Sequence, residues 1–202
     1  SNKSPLTGRY TQSHFASSIR IKRTYMKKLL VVFISSLLIS CASTVPKNTE
    51  TASKEIVIEH DAFNNETWIK SPLYLSLQGF TDTFPVQLSF RALYKNDKLA
   101  FIQLYVTATN ITWGFYHSAN GEDGTKLEFI NVDSFVDSGA GMVTTEEHFG
   151  MAIGMKYLES MTKKDFKIKV YGKRNEGVFI VPQVLSKAFY SKLNCYQSSK
   201  CV

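Results

Sequence analysis

Between Glu55 and Asp133 apolar and polar residues alternate with the two-residue period of half-buried strands. "EIVIEHDAF" and "ETWIKSP" are short strand segments. In "VQLSFRALY", Val86, Leu88, Phe90, Ala92 and Tyr94 fall on one face, with Gln87, Ser89 and Arg91 on the other. "KNDK" (Lys95–Lys98) is a polar turn and "LAFIQLYVTATN" returns from it, so residues 86–109 read as a hairpin. "TWGFYH" sets Trp113 and Phe115 against Gly114 and Tyr116, "ANGEDG" turns, and "KLEFINVDSFV" supplies another strand. Connections this short predict antiparallel pairing.

The period changes after "DSGAGM". Thr144 or Thr145 can cap a helix whose first turn carries Glu146 and Glu147. From His148 to Thr162, Met151, Ile153, Met155, Tyr157, Leu158 and Met161 gather on one helical face opposite Lys156, Glu159 and Ser160. Gly150 and Gly154 sit inside that face, and interior glycine costs about 1 kcal/mol relative to Ala, so close approach of the helix to the sheet is expected there. "FKIKVY" and "VFIV" flank the turn "GKRNEG", and Pro182 suits the start of a second helix whose stripe is Leu185, Ala188, Phe189 and Leu193. The expected fold class is α+β: an antiparallel meander of six to eight strands with two helices of the C-terminal half on one face.

A different pattern precedes the domain. In "MKKLLVVFISSLLISCAS" (Met26–Ser43), Lys27 and Lys28 lead an uncharged run, Leu29–Ile39, that ends at the small pair Ser40–Cys41. This is the layout of a secretory leader. The run is shorter than the about 20 residues a spanning helix needs. Leu38-Ile39-Ser40-Cys41 resembles the lipobox of bacterial lipoproteins, with a branched apolar residue three before an obligatory cysteine and a small residue just before it. The resemblance implies that the Cys41 sulfur receives a diacylglycerol, that cleavage occurs before Cys41, and that the freed amine is acylated. Each buried methylene contributes about 0.8 kcal/mol, so several chains hold firmly where one holds marginally. Ala42, rather than Asp, after the cysteine implies the outer membrane. Residues 1–25, basic and without an acidic residue, read as sequence upstream of the true start and outside the fold. Residues 41–55, rich in Ser, Thr, Ala and Lys, read as a lipidated flexible tether, and residues 56–202 as a single ectodomain.

The leader also changes the charge. Of the 24 Lys and Arg, seven fall in residues 1–40 beside no Asp or Glu, leaving 17 cations against 17 anions in the remainder. The basic bias of a nucleic-acid binder is therefore absent from the domain, and nucleic acid is not an expected partner. Of the three cysteines, Cys41 is assigned to lipid, and Cys195 and Cys201 can pair in an oxidising compartment.

Catalytic signatures are sparse. Gly139-Ala140-Gly141 lacks the third glycine of a dinucleotide fingerprint and reads as a tight loop, and there is no P-loop, G-x-S-x-G or H-E-x-x-H. His60, His117 and His148 could gather with Asp61, Glu146 or Glu147 around a metal, but their spacing follows no ligand pattern, so no cofactor or metal is expected. The aromatics Trp68, Tyr74, Tyr105, Trp113, Phe115 and Tyr116 either fill a core or line an exposed surface. In the second case Trp113, Phe115 and Tyr116 would form a ligand surface for a glycan or an envelope protein, with Arg91 holding an anionic group. Two functions follow from different classes. One is a lipid-anchored, non-enzymatic binding or scaffold module of the cell envelope. The other is an envelope hydrolase built around His117, Asp123, Asp133 and His148.

Overall fold

The computed structural model describes residues 44–76, 86–138 and 141–198. They lie in one compact unit, Ala42–Val202. The leader with Leu38, Ile39, Ser40 and Cys41, Gly139 and Ala140 of the Gly139-Ala140-Gly141 motif, and Cys201 fall outside the described residues.

Mostly antiparallel sheet makes up the unit, curled into a half-barrel with three helices, two of them C-terminal. The strands are β1 (Val57–Asp61), β2 (Glu66–Lys70), β3 (Tyr74–Leu75), β4 (Gln87–Lys95), β5 (Lys98–Asn110), β6 (Tyr116–Gly121), β7 (Lys126–Asp137), β8 (Thr144–Ile153), β9 (Phe166–Gly172) and β10 (Glu176–Val181). The helices are α1 (Thr49–Lys54), α2 (Met155–Met161) and α3 (Gln183–Gln197). Strand order is β1-β2-β4-β5-β8-β7-β6-β9-β10, with β3 beside β4. Ten strands exceed the six to eight expected, because β8 and the short β3 join the sheet. The order is also not a plain meander: the chain leaves β5 for β6 and returns through β7 to β8, which fills the place beside β5.

The alternation on β4 and β5 survives as read. Leu88, Phe90, Ala92 and Tyr94 pair with Val106, Leu104, Ile102 and Leu99, and their inner face is buried. Asn96 and Asp97 turn the hairpin with φ of 48° and 59°, the left-handed pair that matches strand twist in a two-residue turn. The predicted stripe of α3 is also buried: Leu185, Ala188, Phe189 and Leu193 lie in the core, and Phe189 stacks on Phe90 with ring centroids 5.3 Å apart. Pro182 stands at the N-cap of α3, one residue before its first turn.

Two expectations are corrected. The helix expected over 148–162 is strand β8 up to Ile153, followed by the seven-residue α2. Phe149, Met151 and Ile153 pair with Val106, Leu104 and Ile102 of β5, so the long hydrophobic partner strand decides the period. Gly150 accordingly serves close approach within the sheet: a Cβ there would lie 2.1 Å from Gln103 Nε2. Gly154 is the N-cap of α2. Thr144 and Thr145 are strand residues, not caps. The segment read as part of a tether is ordered from Thr49: Asn48 Oδ1 accepts the Thr51 N–H at 2.9 Å, and α1 buries Ala52 against α3. One small buried side chain, with Val45 and Ile56 packed on the same core, is enough to order a sequence whose composition looks flexible. Among the described residues no helix is long and apolar enough to cross a membrane.

Candidate functional site

Strand β7 is held unequally on its two sides. Along β8 its register runs from Glu128↔Ala152 to Asp137↔Thr144. Toward β6 only Ala119↔Leu127 and Asn120↔Lys126 pair. Beyond Leu127 the two strands part, and from Glu128 to Asp137 the outer edge of β7 has no ladder partner among the described residues. A bulge falls in this stretch, because Asn131 opposes Phe149 and Asp133 opposes His148, leaving Val132 unpaired. Bulges sharpen local twist and bend the strand that carries them. A cavity of about 250 Å³ opens in the fork, lined among others by Tyr116, Val132, Asp133, Ser134, Glu147 and His148.

Several polar groups of this region are held by hydrogen bonds. His148 is bonded through Nδ1 to the Tyr105 hydroxyl and through Nε2 to Glu146 Oε1 at 2.6 Å. The arrangement that satisfies all three has the Tyr105 O–H donating to Nδ1 and Nε2–H donating to the Glu146 carboxylate. The Arg91 guanidinium lies 4.4 Å from the Tyr105 ring centroid, and its Nε donates to Gln103 Oε1 at 2.5 Å. Burial raises the Tyr105 phenol above its ordinary range, and the Arg91 charge works against that shift. Burial also lowers the Arg91 guanidinium, which is only part-exposed on this face.

Behind the fork, the buried Glu147 carboxylate accepts the Gly114 N–H at 2.6 Å and the Tyr116 N–H at 3.3 Å. It thereby pins the irregular segment in which Phe115 adopts φ of 53°. Tyr116 is core, 4% exposed, and tilts against Phe149 with centroids 5.5 Å apart. Burial pushes its phenol up to about 12, although Asn110 Nδ2 donates to the hydroxyl at 3.2 Å.

The sequence-derived residues separate on this frame. Arg91 is on β4, four places in strand order from β6, which opens at Tyr116 just after Trp113 and Phe115. Trp113 and Phe115 do pack together, with centroids 6.2 Å apart, and Arg174 sits over the Phe115 ring at 5.6 Å. Tyr116 faces inward, and Tyr74 is fully buried with its hydroxyl donating to Glu55 at 2.5 Å. Trp68 lies edge-on to Phe101 at 5.6 Å on the same sheet face as Arg91. The expected single aromatic surface is thus divided between core, loop and a distant strand.

Of the four residues considered for hydrolysis, only Asp133 and His148 come together. His117 is exposed on β6, and Asp123 accepts from Thr125 in a turn and from the Tyr157 hydroxyl at 3.1 Å. Ser134 lines the same cavity, but it opposes Glu147 in the ladder, one position from the Asp133–His148 pair, and so points to the other sheet face. Among the described residues no group of three His, Cys, Asp or Glu could hold a metal ion. Cys195 is disulfide-bonded, and its partner lies outside the described residues, as Cys201 does. Sequence reasoning passed over the bulge at Val132 and the linkage of Tyr105, His148 and Glu146. No pattern signals the bulge. The pairing of Tyr105 with a polar strand face is visible only once residues 144–153 are read with period two.

Comparison with family models, with curated proteins and with solved structures gives no match.

Proposed function

We propose that this protein is a lipid-anchored, non-enzymatic protein-binding module of the bacterial cell envelope, held by Cys41 at the outer membrane and facing the periplasm. The observation that carries the binding half is the fork at β7, an open sheet edge beside a small cavity. Its histidine is bonded through Nδ1 to Tyr105 and through Nε2 to Glu146, so the imidazole is fixed in orientation as part of the wall. Rigid walls beside an unpaired backbone edge favour recognition over turnover. The anchoring half rests on the resemblance of Leu38-Ile39-Ser40-Cys41 to a lipobox, and the helix-backed face of the α+β sheet leaves the fork for a partner.

Intact-mass spectrometry of the protein from its native membranes tests the anchor. The expected species begins at Cys41 and carries a diacylglycerol and an amide-linked acyl chain. An unmodified thiol at Cys41 with Leu29–Ile39 still attached would sink the proposal.

A further inference from the structure

Exposed strand edges are ordinarily protected by shortness, proline, charged side chains, bulges or a covering element, because their free N–H and C=O groups template pairing. The outer edge of β7 carries the bulge at Val132 and three carboxylates, but among the described residues no element covers it from Glu128 to Asp137. It runs from Glu128 to Asp137 without proline or lysine, and it presents Ile130, Val132, Phe135 and Val136, each 38–56% exposed. Its backbone is laid out as a strand over that whole length, since β8 holds it on the inner side.

The charge on the edge selects the occupant. Glu128, Asp133 and Asp137 are the ionisable residues of this stretch. A second copy pairing edge to edge would bring the same acidic set onto its own strand, which is unfavourable for like charges brought close across a pair. A segment that alternates Lys or Arg with apolar residues would instead set all its cations on one face, the face on which the ladder register places Glu128, Asp133 and Asp137 together with Ile130 and Phe135, and its apolar residues on the other beside Phe129 and Val136. The cavity, at about 250 Å³, is below the 300–1,000 Å³ typical of small-molecule pockets and suits one anchoring side chain.

We infer that the free edge of β7 accepts an extended basic–apolar segment of a partner protein as an added antiparallel or parallel strand, with a Lys or Arg seated against Asp133 in the fork. This rests on the protein-binding reading above and names its partner's chemistry. Main-chain hydrogen bonds would give the affinity and alternate side chains the selectivity.

The probe is an acetylated, amidated octapeptide alternating Lys and Val, titrated by fluorescence anisotropy into the full chain in non-ionic detergent, with hydrogen exchange read in parallel. Binding should slow amide exchange across Ile130–Val136 at least tenfold. Asp133→Lys should weaken binding at least tenfold, and so should N-methylation of alternate peptide amides, a change that leaves the protein's own fold untouched. No binding, equal binding of an otherwise identical octapeptide alternating Glu and Val, protection confined to other strands, or protection that arises from self-association without peptide would each overturn the inference. A lipidated Cys41 found together with any of these results would leave the anchor standing while the docking edge fell.

Discussion

Tyr116 shows how one side chain ties the site to the core. Its ring is packed on Phe149 while its hydroxyl, buried beside Asn110, must stay protonated because the ionised form would lose its hydration. The folded phenol titrates at about 12, above the ordinary value of 10 that the unfolded chain retains. Below pH 10 both states hold the proton, so this residue's contribution is fully present. From pH 10 to 12 the unfolded chain ionises first, and stability falls. Two units correspond to about 2.7 kcal/mol for a fully buried group. Urea unfolding of the wild type and Tyr116→Phe between pH 9 and 12 is expected to show a shallower alkaline decline in the variant, by about 2 kcal/mol. Equal slopes would mean that the ring is wetted in solution. At this scale the sequence was half legible. Tyr116 was visible as an aromatic on the side of Gly114, opposite Trp113 and Phe115, but whether it faced a ligand or the core depended on Glu147 holding the backbone of residues 114 and 116.

Among the elements, β8 is where local pattern and tertiary pairing part. Residues 144–154 carry helix-compatible spacing, with two glutamates where a first turn would have them and glycines at i and i+4. The same residues also satisfy period two, with Phe149, Met151 and Ile153 inward and Glu146, His148 and Gly150 outward. A long apolar partner, β5, is present to complete the strand and makes that alternative win. Gly150 records the outcome, since its missing side chain is the space in which Gln103 lies. Gly150→Ala should destabilise the fold by about 1–3 kcal/mol through displacement of Gln103. Measured in a Gln103→Ala background, the same substitution should cost less by at least about 0.5 kcal/mol. Additive losses in this double-mutant cycle would show that the glycine is required for backbone reasons alone. Elsewhere the elements were well legible: the β4–β5 hairpin and the α3 stripe were readable because each satisfies its own period locally, without competition.

Over the whole molecule, stability depends on α3 closing the inner face of the curled sheet. Phe189 is fully buried and stacks on Phe90 of β4, while Leu193 and Leu185 extend the same contact surface. Phe189→Ala should cost about 3–5 kcal/mol. If the sheet and helix share one core, near-UV and far-UV circular dichroism should lose signal in one coincident transition. Two separated transitions would show that strands outside the β4–α3 contact fold independently. The sequence alone determined what local chemistry can determine: alternating strands, the hairpin of residues 86–109, the second helix and its buried stripe, and the charge balance of 17 against 17 after residue 40. Only the tertiary structure decided that residues 144–153 are strand, that Tyr105, His148 and Glu146 form one chain, and that β6 and β7 part to leave an edge unpaired among the described residues. The physical reason is that period and propensity act over a few neighbouring residues. Strand order, bulges and fork cavities arise from which distant segments win the competition for one another's backbone groups.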